Sequence, residues 1–175
     1  MSVNLAPFQI WEPRKLADPR GASAAQFMHG LCDILAVQGP MQGLHLFQTY
    51  AKAGGLIKIT TSVRGRFERV VKEAAKSGDL LIEIEDDSEV DGETDSRAWI
   101  IRLPSQPQVM LRTLGPRSFA EIPMGELAAL VLELRCQDEF MGREEISRAV
   151  LSHYGLQKLT SLVERRLAQV FKIYF

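Results

Sequence analysis

The sequence predicts a mainly α-helical chain with a small β-hairpin, an α+β fold built as two related units in tandem. The first observation behind this is a repeat at a fixed offset of 100 residues: Ala25–Ala75 lies over Gly125–Phe175 without a gap. Nine positions then carry the same residue: Met41/Met141, Gly55/Gly155, Leu56/Leu156, Lys58/Lys158, Thr60/Thr160, Val63/Val163, Arg66/Arg166, Val70/Val170 and Lys72/Lys172. Other pairs match in kind, such as Phe27/Leu127, Ile34/Leu134 and Leu46/Ile146. A shared apolar pattern without insertions marks one supersecondary unit built twice. The second observation is helical 3/4 spacing of apolar residues within each copy. The third is a switch to strand-like alternation after Gly78 in the first copy.

Along the chain, residues 1–21 form an arm. Pro7, Pro13 and Pro19 prevent a helix there, while Phe8, Ile10 and Trp11 are suited to docking on a neighbouring surface. The first unit spans residues 22–104. Ala24, Phe27, Met28, Leu31, Ile34 and Leu35 give its first helix, stopped by Gly39-Pro40. Leu44, Leu46, Phe47, Tyr50 and Ala51 give the second, ended by Gly54-Gly55. Thr60, Thr61 or Ser62 can cap a third helix with the stripe Val63, Phe67, Val70, Val71 and Ala74, closed by Gly78. Leu80, Ile82 and Ile84 alternate as a half-buried strand, and Ala98–Leu103 is its returning partner. Three helices followed by a hairpin is the order of a winged helix-turn-helix, with the hairpin as wing. Residues 105–122 read as a docked linker because Val109-Met110-Leu111, Phe119 and Ile122 are apolar. The second unit, residues 123–175, has helices over Glu126–Arg135, Arg143–Tyr154 and Thr160–Phe171. Its wing is missing or truncated, and the final Lys-Ile-Tyr-Phe is open to either omission or one short strand.

Composition narrows the classes. The 175 residues are 46% apolar and 25% charged, an ordinary globular balance, and the net charge of −1 gives no global basic signature. That charge is uneven. Eight acids lie between Glu83 and Asp95 without a Lys or Arg, so the remainder carries −1 + 8 = +7. Cys32 and Cys136 sit within apolar helical patterns and read as small core residues in a reducing cytosol. No apolar run approaches a membrane span and no signal peptide is visible, so a cytoplasmic location is expected.

The Gly55–Lys72 segment is richest in identities between the copies. In helix-turn-helix proteins the third helix enters the major groove. Taking Val63, Phe67, Val70 and Ala74 as the buried face, Thr61, Arg64, Gly65, Glu68, Arg69, Lys72 and Lys76 lie opposite, with Lys58 in the preceding turn. Arg suits guanine edges and Lys suits phosphates. The nucleic-acid-binding candidates are therefore Lys58, Thr61, Arg64, Arg69, Lys72 and Lys76. The plain alternative is a solvated face laced by the i,i+4 pairs Arg64–Glu68, Glu68–Lys72 and Arg69–Glu73. Arg66 and Arg166 fall at the flank of the stripe, where a packed stem and a head at the rim suit a structural role. The corresponding face of the second copy is less basic. The acidic wing tip opposes phosphate contact. Its Asp91-x-Glu93-x-Asp95 lacks the rest of an EF-hand.

No catalytic constellation, metal-ligand spacing or phosphate loop is visible, so neither an enzyme nor a cofactor is expected. His29 reads as a core or rim residue, and His45 and His153 as surface residues.

With Gly39-Pro40-Met41, Gly55-Leu56-Ile57-Lys58, Gly78-Asp79-Leu80 and the upstream Trp11-Glu12-Pro13 in view, the chain resembles a bacterial tandem domain of unknown function. That family sits mostly at the C-terminus of superfamily 1 helicase-like proteins, often beside a nuclease-like domain. The resemblance implies an accessory module serving a defence or repair system, with a helicase or nuclease as partner protein. It transfers no catalytic residues. The second copy departs from the pattern with Phe140-Met141, and the acidic insertion is unusual for the family.

The sequence thus leads to a non-enzymatic DNA-binding protein, gripping duplex rather than single strands, with Arg64 and Arg69 essential. The alternative is a protein-interaction adaptor without nucleic-acid contact.

Overall fold

The computed structural model describes residues 3–85 and 95–175. Residues 86–94 hold most of the acid run, so the wing-tip reading lies outside the described residues. Among those described there are six α-helices and one small three-stranded antiparallel sheet. The chain divides into two units, Gln9–Gln108 and Met1–Phe8 with Val109–Phe175.

In the first of these, α1 (Ala24–Gln38) begins at Ser23, whose Oγ accepts from the Gln26 N–H while Gln26 Oε1 accepts from the Ser23 N–H. This reciprocal cap satisfies two otherwise orphaned donors. Phe27, Leu31, Ile34 and Leu35 face the core. Gly30 is dictated by packing, since a Cβ there would meet Tyr50 Cε2 at 2.3 Å. A two-residue strand, β1 (Met41–Gln42), leads into α2 (Gly43–Ala53). Gly54 lets the chain pass Pro19, whose Cδ would lie 2.7 Å from an added Cβ, and Gly55 reverses direction at φ 91. Thr60 Oγ1 accepts from the Val63 N–H and starts α3 (Thr61–Ser77). Gly78, at φ 81, ends it.

The sheet joins β1 to β3 (Trp99–Arg102) and β3 to β2 (Leu81–Ile84), in the order β1-β3-β2. Ile101 is flanked by Met41 and Ile82. As the central strand, β3 buries Trp99, Ile100 and Ile101 in succession. The expected alternation fails at Ile84, which is exposed although Ile82, two residues earlier on the same face of β2, packs against the core. Phe67 centres the core, stacked on Phe47 at 4.8 Å and edge-on to Phe27 and Tyr50 at 4.8 and 5.2 Å.

In the other unit a 3₁₀ turn (Phe119–Glu121) precedes α4 (Met124–Gln137), α5 (Arg143–His153) and α6 (Ser161–Tyr174). Their starts, 124, 143 and 161, each lie 100 residues after those of α1, α2 and α3. Thr160 caps α6 through the Val163 N–H as Thr60 caps α3, and Gly155 repeats the positive φ of Gly55. The last residues do not form a strand: α6 continues to Tyr174. The segment Val3–Phe8 belongs here. Ala6 bridges Arg112 in parallel register, donating to the Leu111 carbonyl at 3.1 Å and accepting from the Thr113 N–H at 2.8 Å. Phe119 and Ile122 are buried in this unit's core.

Two sequence expectations are corrected. His29 is exposed, because it projects about 200° from Phe27 around α1. Cys136 is exposed and Cys32 only partly buried; Cys136 lies about 180° from Leu127 around α4. Neither cysteine is in a disulfide. No helix among the described residues is long and apolar enough to cross a membrane.

Candidate nucleic-acid interface

The face of α3 opposite Phe67 is set by the same periodicity that buries Val63, Phe67, Val71 and Ala74. Thr61, Arg69, Lys72 and Lys76 are exposed on it, and Lys58 is exposed in the turn before it. Lys58 and Arg69 have no carboxylate partner among the described residues. Lys72 places its Nζ 5.3 Å from the centroid of the Trp99 ring, which steadies the ammonium against β3.

Arg64 departs from the expected geometry. It lies half-buried at the flank, with Nε 3.5 Å from Glu68 Oε1. Lys76 pairs with Glu73 at 3.1 Å on an open surface, where such a pair contributes little. The structure therefore brings Thr61, Arg69, Lys72 and Lys76 to one face, with Lys58 at its leading end and Arg64 to one side.

An open groove of about 900 Å³ runs beside the α2–α3 turn. Leu44, Ile59 and Ile57 supply apolar surface, while Lys52, Lys58 and Arg64 stand around it; no carboxylate lines it among the described residues. Ile57 is 100% exposed.

Gly65 sits in the middle of α3, between Thr61 and Arg69 on the same face. A glycine inside a helix costs about 1 kcal/mol relative to alanine.

Arg66 and Arg166 are not at this face. Arg66 donates to the carbonyls of Arg20 and Ala22, at 2.5 and 2.9 Å. Arg166 donates to those of Ala120 and Ile122, at 2.7 and 2.5 Å. Each guanidinium holds the segment preceding its unit's first helix, and the same spacing repeats in both.

Sequence reading missed a buried charge cluster in the C-terminal unit. Glu126, 1% exposed, accepts from Arg112 Nη2 at 3.0 Å and from both Arg117 Nη atoms at 2.9 Å. Its Oε1 also accepts from the Arg112 backbone N–H. Phe8 covers the pair, its ring centroid 5.2 Å from Arg112 Cζ and 4.4 Å from Arg117 Cζ. Gly115 is required beneath it, since a Cβ would meet Phe8 Cδ1 at 2.8 Å. Burial pushes the Arg112 guanidinium below its ordinary value, against the opposing pull of Glu126. Burial, then Glu126, pushes the nearby Tyr154 phenol well up. The only sequence signal was one acid in an otherwise apolar first turn, which resembles ordinary helix-start chemistry. This cluster anchors a segment; it offers no nucleophile–base pair.

The chain matches no protein-family model, no curated protein and no solved structure. Among the described residues, no group of three or more His, Cys, Asp or Glu side chains is placed to hold a metal ion.

Proposed function

We propose that this chain is a non-enzymatic accessory protein that binds duplex DNA through α3 of its N-terminal unit, with two winged-helix units in tandem, the second without a wing. The element order α1-β1-α2-α3-β2-β3 and the sheet order β1-β3-β2 support a winged-helix reading of the first unit. The observation that carries the DNA reading is Lys58 and Arg69 exposed without carboxylate partners, in line with Lys72, on the free face of one helix. Phosphates attract such cations and release counterions on contact. In α6 the equivalent of Arg69 is Gln169, so the second copy braces or serves a partner. The resemblance to helicase-associated domains supports a helicase or nuclease as that partner.

The test is a mobility shift with duplex DNA at low salt. Wild-type protein shifts the duplex, and Lys58→Ala with Arg69→Ala abolishes the shift while the melting temperature holds. An undiminished shift by the double variant would remove α3 from the interface.

One observation favours the adaptor reading instead: Ile57 stands fully exposed beside an apolar-floored groove. Under that reading the wild-type protein retains neither duplex nor single-stranded DNA at low salt.

A further inference from the structure

We infer that Gly65 is a contact seat, where the backbone of α3 meets the edge of bound duplex DNA without an intervening side chain. This rests on the DNA-binding reading above and names the point of closest approach within it.

The argument begins with what does not require the glycine. Its φ is not positive, unlike that of Gly55 or Gly78. A Cβ added at Gly65 meets nothing within 4 Å. Gly30, at a comparable mid-helix position in α1, is the contrast: its added Cβ would strike Tyr50. The helix itself also tolerates a long side chain at this point, because the second copy carries Arg165 at the corresponding place in α6. Folding therefore gains nothing from Gly65 and loses helix propensity. A glycine placed at such a cost suits close approach of a ligand to main chain.

Its surroundings name the ligand. Thr61 precedes it by four residues, Arg69 follows by four and Lys72 by seven, all on the same face. The i+3 neighbour Glu68 is half-buried and turned to Arg64, so the bare patch is bordered on its open side by a hydroxyl and two cations. That fits a polyanion edge, with the side chains reaching around it to phosphates and bases. In α6 the seat is filled by Arg165 and bordered by Gln169, which makes the first copy the one that grips.

Gly65→Ala and Gly65→Arg test this with a 20-base-pair duplex in the full chain, measured by titration at low salt alongside thermal unfolding. Gly65→Ala raises the melting temperature by about 2–4 °C, since helix propensity improves. Its affinity nevertheless falls by about tenfold or more, a steric loss. Gly65→Arg adds a cation to the face, so a purely electrostatic surface would bind more tightly; a seat makes it bind more weakly. Wild-type binding with equal or tighter binding by both variants overturns the seat and leaves the DNA reading standing. Absence of any wild-type binding overturns the DNA reading and the seat together.

Discussion

Arg66 and Arg166 donate to main-chain carbonyls at matching offsets, 46 and 44 residues upstream in each case. Neither position is free to serve a ligand, because both guanidiniums are engaged in holding the chain that enters α1 and the chain that enters α4. An identity between repeats here reports construction and not recognition.

Arg66→Ala should therefore lower the stability of the N-terminal unit by about 1–3 kcal/mol, the range for charge-assisted bonds. Under the proposed duplex-binding role, its affinity below the melting transition should equal that of the wild type. Chemical denaturation and a binding titration on the same preparation check both halves. A weakened affinity with unchanged stability would assign the residue to the interface.

Glu126→Gln should be the most damaging conservative change in the C-terminal unit. It leaves Arg112 and Arg117 buried without a counter-charge, at a cost of about 3–5 kcal/mol. Urea unfolding followed by circular dichroism reads the loss. A change below 1 kcal/mol, by the same principle of buried pairs, would show that the cluster is not the anchor described here.

Tyr154→Phe should go the other way. The Tyr154 hydroxyl is buried and has no hydrogen-bond partner among the described residues. An unmet buried hydroxyl is a liability, so its removal should leave stability unchanged or raise it by about 1 kcal/mol. Calorimetric melting decides, and a drop in melting temperature would reveal a partner for the hydroxyl.

Alkaline pH should destabilise the fold through its tyrosines. Burial raises the Tyr50 phenol, and burial together with Glu126 raises Tyr154. A free tyrosine ionises near pH 10, by ordinary reference values. The unfolded chain therefore loses these protons before the folded chain does. The stabilising contribution is complete below about pH 10 and declines as pH climbs through the folded-state values. Unfolding measured from pH 8 to 11.5 should show that decline, shallower in Tyr154→Phe. A flat profile would contradict the burial of both rings.

Much of the architecture was legible because the repeat and the 3.6-residue period are local signals. The Thr60-Thr61-Ser62 run and Gly78 marked the ends of α3, with Thr60 the one of the three that caps it, and Gly54-Gly55 marked the turn before it. Ser23, the cap of α1, is an equally local signal, with Gln26 three residues later completing the reciprocal cap. Ile84 misled because alternation marks the face of a strand and not how far along it the core extends. His29 and Cys136 misled because lying within an apolar segment is not the same as lying on its buried face. The Arg112–Glu126–Arg117 cluster left only the lone Glu126 as a signal: its members come from an irregular segment and a helix, and only packing brings them under Phe8. On α3 the cationic face was visible, and so was the i,i+4 spacing of Arg64 and Glu68; that Arg64 lies half-buried at the flank was not, because it depends on what packs beside the helix.

The segment Val3–Phe8 has an effect on how the protein is made. Its partners include Leu111, Thr113 and His153, all of which leave the ribosome much later. Gln9–Gln108 is one contiguous stretch, whereas Val3–Phe8 must wait for partners more than a hundred residues further along the chain. The unit that holds α4–α6 is thus closed by a segment lying on the far side of the other unit in sequence, which makes its assembly a long-range event.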